Sequence, residues 1–74
     1  MSSNRPYIYF FDLISNREVE YVIHTMECPY LPEKFARIYI GAAPSPTQAL
    51  QRASKTFPTK SFILCSHCCN ESDN

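Results

Sequence analysis

The sequence has a single glycine, no excess of either charge and no long apolar run, and each absence excludes a class of function. One glycine cannot build a glycine-rich loop that binds phosphate. Seven lysines and arginines balance seven acidic residues, whereas domains that bind nucleic acid usually carry clustered positive charge. The longest apolar stretch, residues 7–14, includes Asp12 and is far shorter than the roughly 20 residues that cross a bilayer. We therefore expect no association with a membrane and no preference for nucleic acid.

The N-terminal residues also lack the features of a secretory signal peptide. They carry one positive charge, and no small-residue cleavage site follows the apolar stretch. The sequence therefore predicts a cytoplasmic protein in a reducing compartment. Hydrophobic residues make up 45% of the 74 residues, which favours a folded domain over disorder. We expect one small domain over residues 7–69, between a disordered N-terminus (1–6) and a disordered tail (70–74).

Local composition predicts four strands. Aromatic and β-branched residues favour strands over residues 7–14, 19–25, 36–41 and 61–65. A turn at residues 15–18 joins the first two strands into a hairpin, and Asn16 is the turn residue that tolerates a left-handed conformation.

A helix is predicted between the third and fourth strands. Ser45 and Gln48 fit a capping box, and Pro46 suits the first helical position. The apolar residues that follow at helical spacing are Ala49, Leu50, Ala53 and Phe57. The order β-β-β-α-β predicts an α+β fold, a small antiparallel sheet of three to four strands with one helix packed on a face.

Four potential metal ligands occur in two pairs. Cys65 and Cys68 are separated by two residues, a spacing that lets both thiolates of one tight turn reach a single ion. His24 and Cys28 are separated by three residues where the second strand ends. Thiolates and imidazole are poor ligands for calcium and magnesium. The sequence therefore predicts one zinc ion per chain, and four protein ligands make the site structural.

The choice among neighbouring ligands stays open. Cys69 adjoins Cys68 and gives an alternative Cys-x3-Cys arrangement with Cys65. His67 lies inside the turn, where its side chain is expected to point away from an ion held by both flanking thiolates.

The order of these features resembles the metal-binding domain of Ada-type DNA-repair methyl acceptors. In that family a Cys-x3-Cys loop precedes a strand, a short helix and a Cys-x2-Cys turn. Here His24-x3-Cys28, residues 37–41, residues 45–57 and Cys65-x2-Cys68 take these places. The resemblance covers residues 24–69 and implies a metal site. His24 stands where that family has the methyl-accepting cysteine, so methyl transfer is not carried over.

The same residues also permit other interpretations. His24 can be an ordinary strand residue, Cys28 can be a small core residue or a disulfide partner, and Cys65-x2-Cys68 also matches a redox pair. We predict a non-enzymatic, zinc-stabilised module that binds another macromolecule, with a protein as the expected partner. One alternative is a metal-free domain whose tyrosine-bearing sheet docks a protein or forms a homodimer. Another is a thiol redox or alkyl-acceptor protein.

Overall fold

The computed structural model describes residues 7–69, so the predicted disordered ends, 1–6 and 70–74, lie outside the described residues. Four strands and one α-helix follow in the predicted order. The strands are β1 (Tyr7–Asp12), β2 (Glu20–Thr25), β3 (Arg37–Ala43) and β4 (Ser61–Leu64), and helix α1 is Pro46–Thr56. A short 3-10 helix, Lys34–Ala36, precedes β3. The α+β class and the single helix packed on the sheet are confirmed.

The strand order in the sheet is β3-β1-β2-β4. Strand β1 is antiparallel to both of its neighbours, as predicted, but β4 runs parallel to β2, so the sheet is mixed. The parallel direction of β4 follows from the path of helix α1. Helix α1 follows β3, packs against both β3 and β4, and returns the chain so that β4 runs in the same direction as β3. Strand β3 itself runs parallel to β2, since both are antiparallel to β1.

The turn between β1 and β2 is built around the side chain of Asn16. Its carboxamide oxygen accepts hydrogen bonds from the N–H groups of Glu18 (3.0 Å) and Glu20 (2.8 Å). The residue with left-handed backbone is Val19, with φ of 62°, and not Asn16 as the sequence suggested. Asn16 stabilises the turn as a side-chain acceptor, which needs no positive φ of its own.

The core lies between the sheet and helix α1. Tyr9, Phe11 and Ile23 are fully buried on the helix side of the sheet, beneath Ala49 and Ala53. Cross-strand partners share a face, and His24 is the partner of Phe10, so His24 lies on the face away from the helix. This alternation directs His24 away from the aromatic residues under the helix, and it contacts the buried cluster through Cys28.

Helix α1 begins as predicted and ends at Thr56, one residue before the last residue of the predicted apolar stripe, Phe57. The Ser45 hydroxyl accepts a hydrogen bond from the N–H of Gln48 at 3.3 Å, and Pro46 is the first helical residue. The helix ends before Phe57, whose N–H still bonds to the carbonyl of Ala53. Within residues 7–69, no helix has the length and apolar character needed to cross a membrane.

Candidate metal centre

The two ligand pairs meet where the parallel strands β2 and β4 end. His24 lies at the end of β2, and Cys65 is the first residue after β4. Because parallel neighbours end at the same edge of a sheet, these residues come together, and the N–H of Cys65 donates to the carbonyl of Ile23 at 3.0 Å. Cys28 reaches the same place from the loop after β2, and Cys68 from the turn after β4.

The ligand atoms of His24, Cys28, Cys65 and Cys68 all lie within 4.8 Å of one another. The Sγ atoms of Cys28 and Cys65 are 3.8 Å apart, and Cys28 Sγ is 3.5 Å from His24 Nδ1. In a tetrahedral zinc site two sulfurs lie about 3.8 Å apart, and a sulfur and a nitrogen about 3.6 Å apart, for bonds of about 2.3 and 2.0–2.1 Å. The two measured separations match two edges of such a tetrahedron, and the other donor atoms lie within 4.8 Å, so the group could hold a metal ion.

Three of the four side chains are covered by protein. His24, Cys28 and Cys65 are 4, 6 and 7% exposed, whereas Cys68 is partly exposed. All four cysteines of the chain are free thiols. The donor residues come from two segments of the chain, residues 24–28 and 65–68, and three of the four are buried.

The imidazole of His24 is oriented by Asp12. His24 Nε2 lies 2.9 Å from Asp12 Oδ1, and an ionised carboxylate only accepts, so Nε2 is the donor. The Nδ1 lone pair is then directed toward Cys28. Metal-binding histidines usually donate their second ring N–H to a carboxylate or a carbonyl in this way. Asp12 is therefore a positioning residue for His24.

Asp12 is a residue of the candidate site that the sequence pattern does not single out. In the sequence it marks only the interruption of an apolar stretch. A usable signal existed, because a charged residue in an otherwise apolar strand of a hairpin needs a partner on the facing strand. The register that brings Asp12 diagonally opposite His24 became known only with the pairing of β1 and β2.

Backbone N–H groups point at two of the sulfurs. The N–H of Tyr30 donates to Cys28 Sγ at 3.4 Å, and that of Thr25 donates to Cys68 Sγ at 3.3 Å. Hydrogen bonds of this kind favour a negatively charged sulfur. They therefore prepare both side chains to act as thiolate ligands.

The sulfurs differ in acidity when no metal is bound. Burial, followed by the hydrogen bond with Cys68, raises the pKa of Cys28 to about 12. Burial raises the pKa of Cys69 to about 12 as well. Burial acts in the same direction on Cys68, but hydrogen bonds from Cys28 and the Thr25 N–H outweigh it and lower the Cys68 pKa below its ordinary value. Negative charge is therefore favoured at Cys68.

The two alternative ligands lie outside the four-residue group. Cys69 is buried, and its thiol donates to the carbonyl of Ile23 at 3.3 Å, although its sulfur is 3.8 Å from that of Cys68. The ring of His67 lies against that of Tyr30, with the ring centres 4.4 Å apart. The structure thus brings together His24, Cys28, Cys65 and Cys68, and gives Cys69 and His67 other contacts.

Comparison of the chain with protein-family models, curated proteins and solved structures found no match. The resemblance to Ada-type metal-binding domains therefore stays a prediction.

Proposed function

We propose that this protein is a small, non-enzymatic domain that binds one structural zinc ion per chain through His24, Cys28, Cys65 and Cys68. The observation that carries the proposal is the approach of four donor atoms, contributed by two separate parts of the chain, to within 4.8 Å of one another. Two of their separations, 3.5 and 3.8 Å, suit a tetrahedral zinc ion. Three thiolates and one imidazole form a soft donor set, which favours zinc over calcium or magnesium. The carboxylate behind His24 supports the same assignment, because it raises the basicity of the imidazole ligand.

A structural role follows from the closed coordination sphere. Four protein ligands leave no position at which a zinc-bound water can act on a substrate. Binding to a Cys3His set is worth on the order of 10–16 kcal/mol in small zinc domains, whereas a core of this size rarely supplies more than about 3–5 kcal/mol. The binding figure refers to 1 M free zinc, and at free zinc about a thousand times the dissociation constant the contribution is about 4 kcal/mol, comparable with that of the core. Zinc then stabilises the folded domain, and the domain acts by binding another macromolecule. A protein is the expected partner, because the net charge is zero.

Metal content tests the zinc assignment directly. The protein is purified anaerobically with a reductant, and zinc per chain is measured by plasma mass spectrometry. One zinc per chain is expected. Replacement by cobalt(II) is expected to give the intense visible bands of a tetrahedral ion and a strong thiolate charge-transfer band in the near ultraviolet.

Two serine variants give a matched comparison for this test. Cys65→Ser removes a ligand and is expected to abolish stoichiometric zinc, whereas Cys69→Ser alters a buried thiol outside the group and is expected to retain it. Absence of zinc from the parent protein, with a melting curve insensitive to chelator, contradicts the proposal. That result favours the metal-free alternative, and light scattering then tests whether the domain is a homodimer.

A further inference from the structure

One cysteine of the candidate metal centre lines an open cleft. The cleft has a volume of about 420 Å³, and its walls include Tyr7, Pro29, His67 and Cys68. Cys28 and Cys65 are not among the lining residues, and both are buried, whereas Cys68 is partly exposed. Of the three cysteines in the group, Cys68 is therefore the most accessible to a small molecule in the cleft.

We propose that Cys68 is a modification site, at which a small uncharged peroxide oxidises the zinc-bound thiolate and causes release of the metal. This inference rests on the proposed zinc site. Zinc itself does not change oxidation state, so the sulfur ligands are the groups that react with an oxidant. Access then decides which sulfur reacts first, and the cleft gives access to Cys68.

The reaction balances with the peroxide as the only oxidant. The Cys68 thiolate attacks one peroxide oxygen, an S–O bond forms and the O–O bond breaks, which gives a sulfenic acid and hydroxide. The sulfur loses two electrons and the peroxide gains them. A second ligand thiolate, Cys28 or Cys65, then attacks the Cys68 sulfur, so that an S–S bond forms and the S–O bond breaks. The leaving hydroxide takes a proton from solvent, and zinc dissociates because two of its thiolate ligands are gone.

Cys69 does not supply the second sulfur. Its Sγ lies 3.8 Å from that of Cys68, but a disulfide between adjacent residues rarely satisfies the required bridge geometry. Cys28 and Cys65 both lie within 4.8 Å of Cys68 in the ligand group and come from non-adjacent positions. The expected product is therefore a disulfide that joins Cys68 to one of these two residues.

The test follows hydrogen peroxide added to the zinc-loaded protein. Zinc per chain is measured first, because a preparation without zinc contradicts the proposed function rather than this inference. Released zinc is then recorded with a chromogenic chelator, and the sulfenic acid is trapped with dimedone and located by peptide mass spectrometry. The first sulfenic acid is expected at Cys68, and the first disulfide is expected to include Cys68. A first disulfide between Cys28 and Cys65, whose sulfurs are only 3.8 Å apart, overturns the inference.

Two variants test whether the accessibility of the Cys68 sulfur, rather than the general reactivity of the thiols, determines the rate of zinc release. Cys68→His replaces the accessible sulfur by a nitrogen donor. Its zinc content and affinity are measured first, and from the chains that hold zinc the peroxide-driven release is expected to be slower by at least about tenfold. Cys69→Ser keeps the accessible sulfur and is expected to release zinc at the parent rate. Equal release from Cys68→His and the parent contradicts the inference. If Cys68→His does not retain zinc, the dimedone map of the parent protein alone decides.

Discussion

The imidazole of His24 has a defined partner at each of its nitrogens. Nδ1 faces the Cys28 sulfur at 3.5 Å, and Nε2 donates to Asp12 at 2.9 Å. The carboxylate fixes both the tautomer and the plane of the ring, so the ligand nitrogen needs no rearrangement to meet the metal. Asp12 is partly exposed, with 30% of its side chain accessible, so its removal leaves the hydrophobic core intact.

Asp12→Ala is expected to weaken zinc binding about 10- to 100-fold, because the imidazole loses its orientation and part of its basicity. The dissociation constant is measured by competition with a chelator of known affinity. Glu27→Gln is the matched control, since Glu27 is an exposed carboxylate near the centre with no contact to the His24 ring. Equal affinities for Asp12→Ala and the parent are incompatible with a positioning role.

Zinc affinity is expected to fall as pH falls. The pKa of Cys28 is raised to about 12 by burial, so this thiol keeps its proton at neutral pH when no metal is bound. Zinc must displace that proton, and each displaced proton weakens apparent affinity about tenfold for every pH unit lost. The number of protons displaced by each zinc ion is measured independently as proton release into a weakly buffered solution during a zinc titration. Affinity that is constant between neutral and mildly alkaline pH contradicts this assignment.

The strands and the helix differ in how far the sequence alone determines them. The capped helix and the aromatic strands were predictable because Ser45, Pro46 and the apolar spacing act locally. Strand β3 was expected to end at Gly41 but runs on to Ala43, and Gly41 has φ of 128° beside a shift in the register of β1 and β3. The direction of β4 follows from the predicted β3-α1-β4 order, since a helix that joins two strands of one sheet makes them parallel. That β4 pairs with β2 was not predictable, because it depends on where helix α1 packs. The same holds for Asp12, whose role depends on the strand register.

The role of Ser45 as the N-cap of helix α1 can be tested by substitution. Ser45→Ala is expected to cost about 1 kcal/mol of unfolding free energy, because the Gln48 N–H loses its acceptor. Ser54→Ala is the control at an exposed position inside the helix, where alanine is neutral or slightly stabilising. Both are measured by denaturant unfolding at saturating zinc. A loss in Ser54→Ala as large as that in Ser45→Ala shows that the cap is not the cause.

The metal centre connects distant parts of a small fold. Cys28 and Cys65 are 37 positions apart, and they join the loop after β2 to the turn after β4. Strand β4 has four residues and lies at an edge of the sheet, where β2 is its one strand neighbour within residues 7–69. An ion bound as proposed would hold this short edge strand in place.

Removal of zinc is expected to lower the melting temperature by roughly 15–30 °C. At free zinc about a thousand times the dissociation constant, binding contributes about 4 kcal/mol, and in a domain of this length each kcal/mol shifts the midpoint by about 4–8 °C. Circular dichroism melts with and without a strong chelator measure the effect. Chelator already saturated with zinc is the control. Hydrogen exchange is expected to show the first loss of protection in β4, and uniform loss along the sheet contradicts that order.

The parallel register of β2 and β4 also sets the order of events during folding. Glu20 pairs with Ser61, so the loop after β2, β3 and α1 must be accommodated before the strands align. Pairing between segments so distant in sequence is slow, because the loop entropy is lost before the contacts form. The complete four-ligand site cannot form faster than this pairing. At high zinc concentration, the rate at which the tetrahedral site appears therefore becomes independent of zinc and equals the rate of strand pairing.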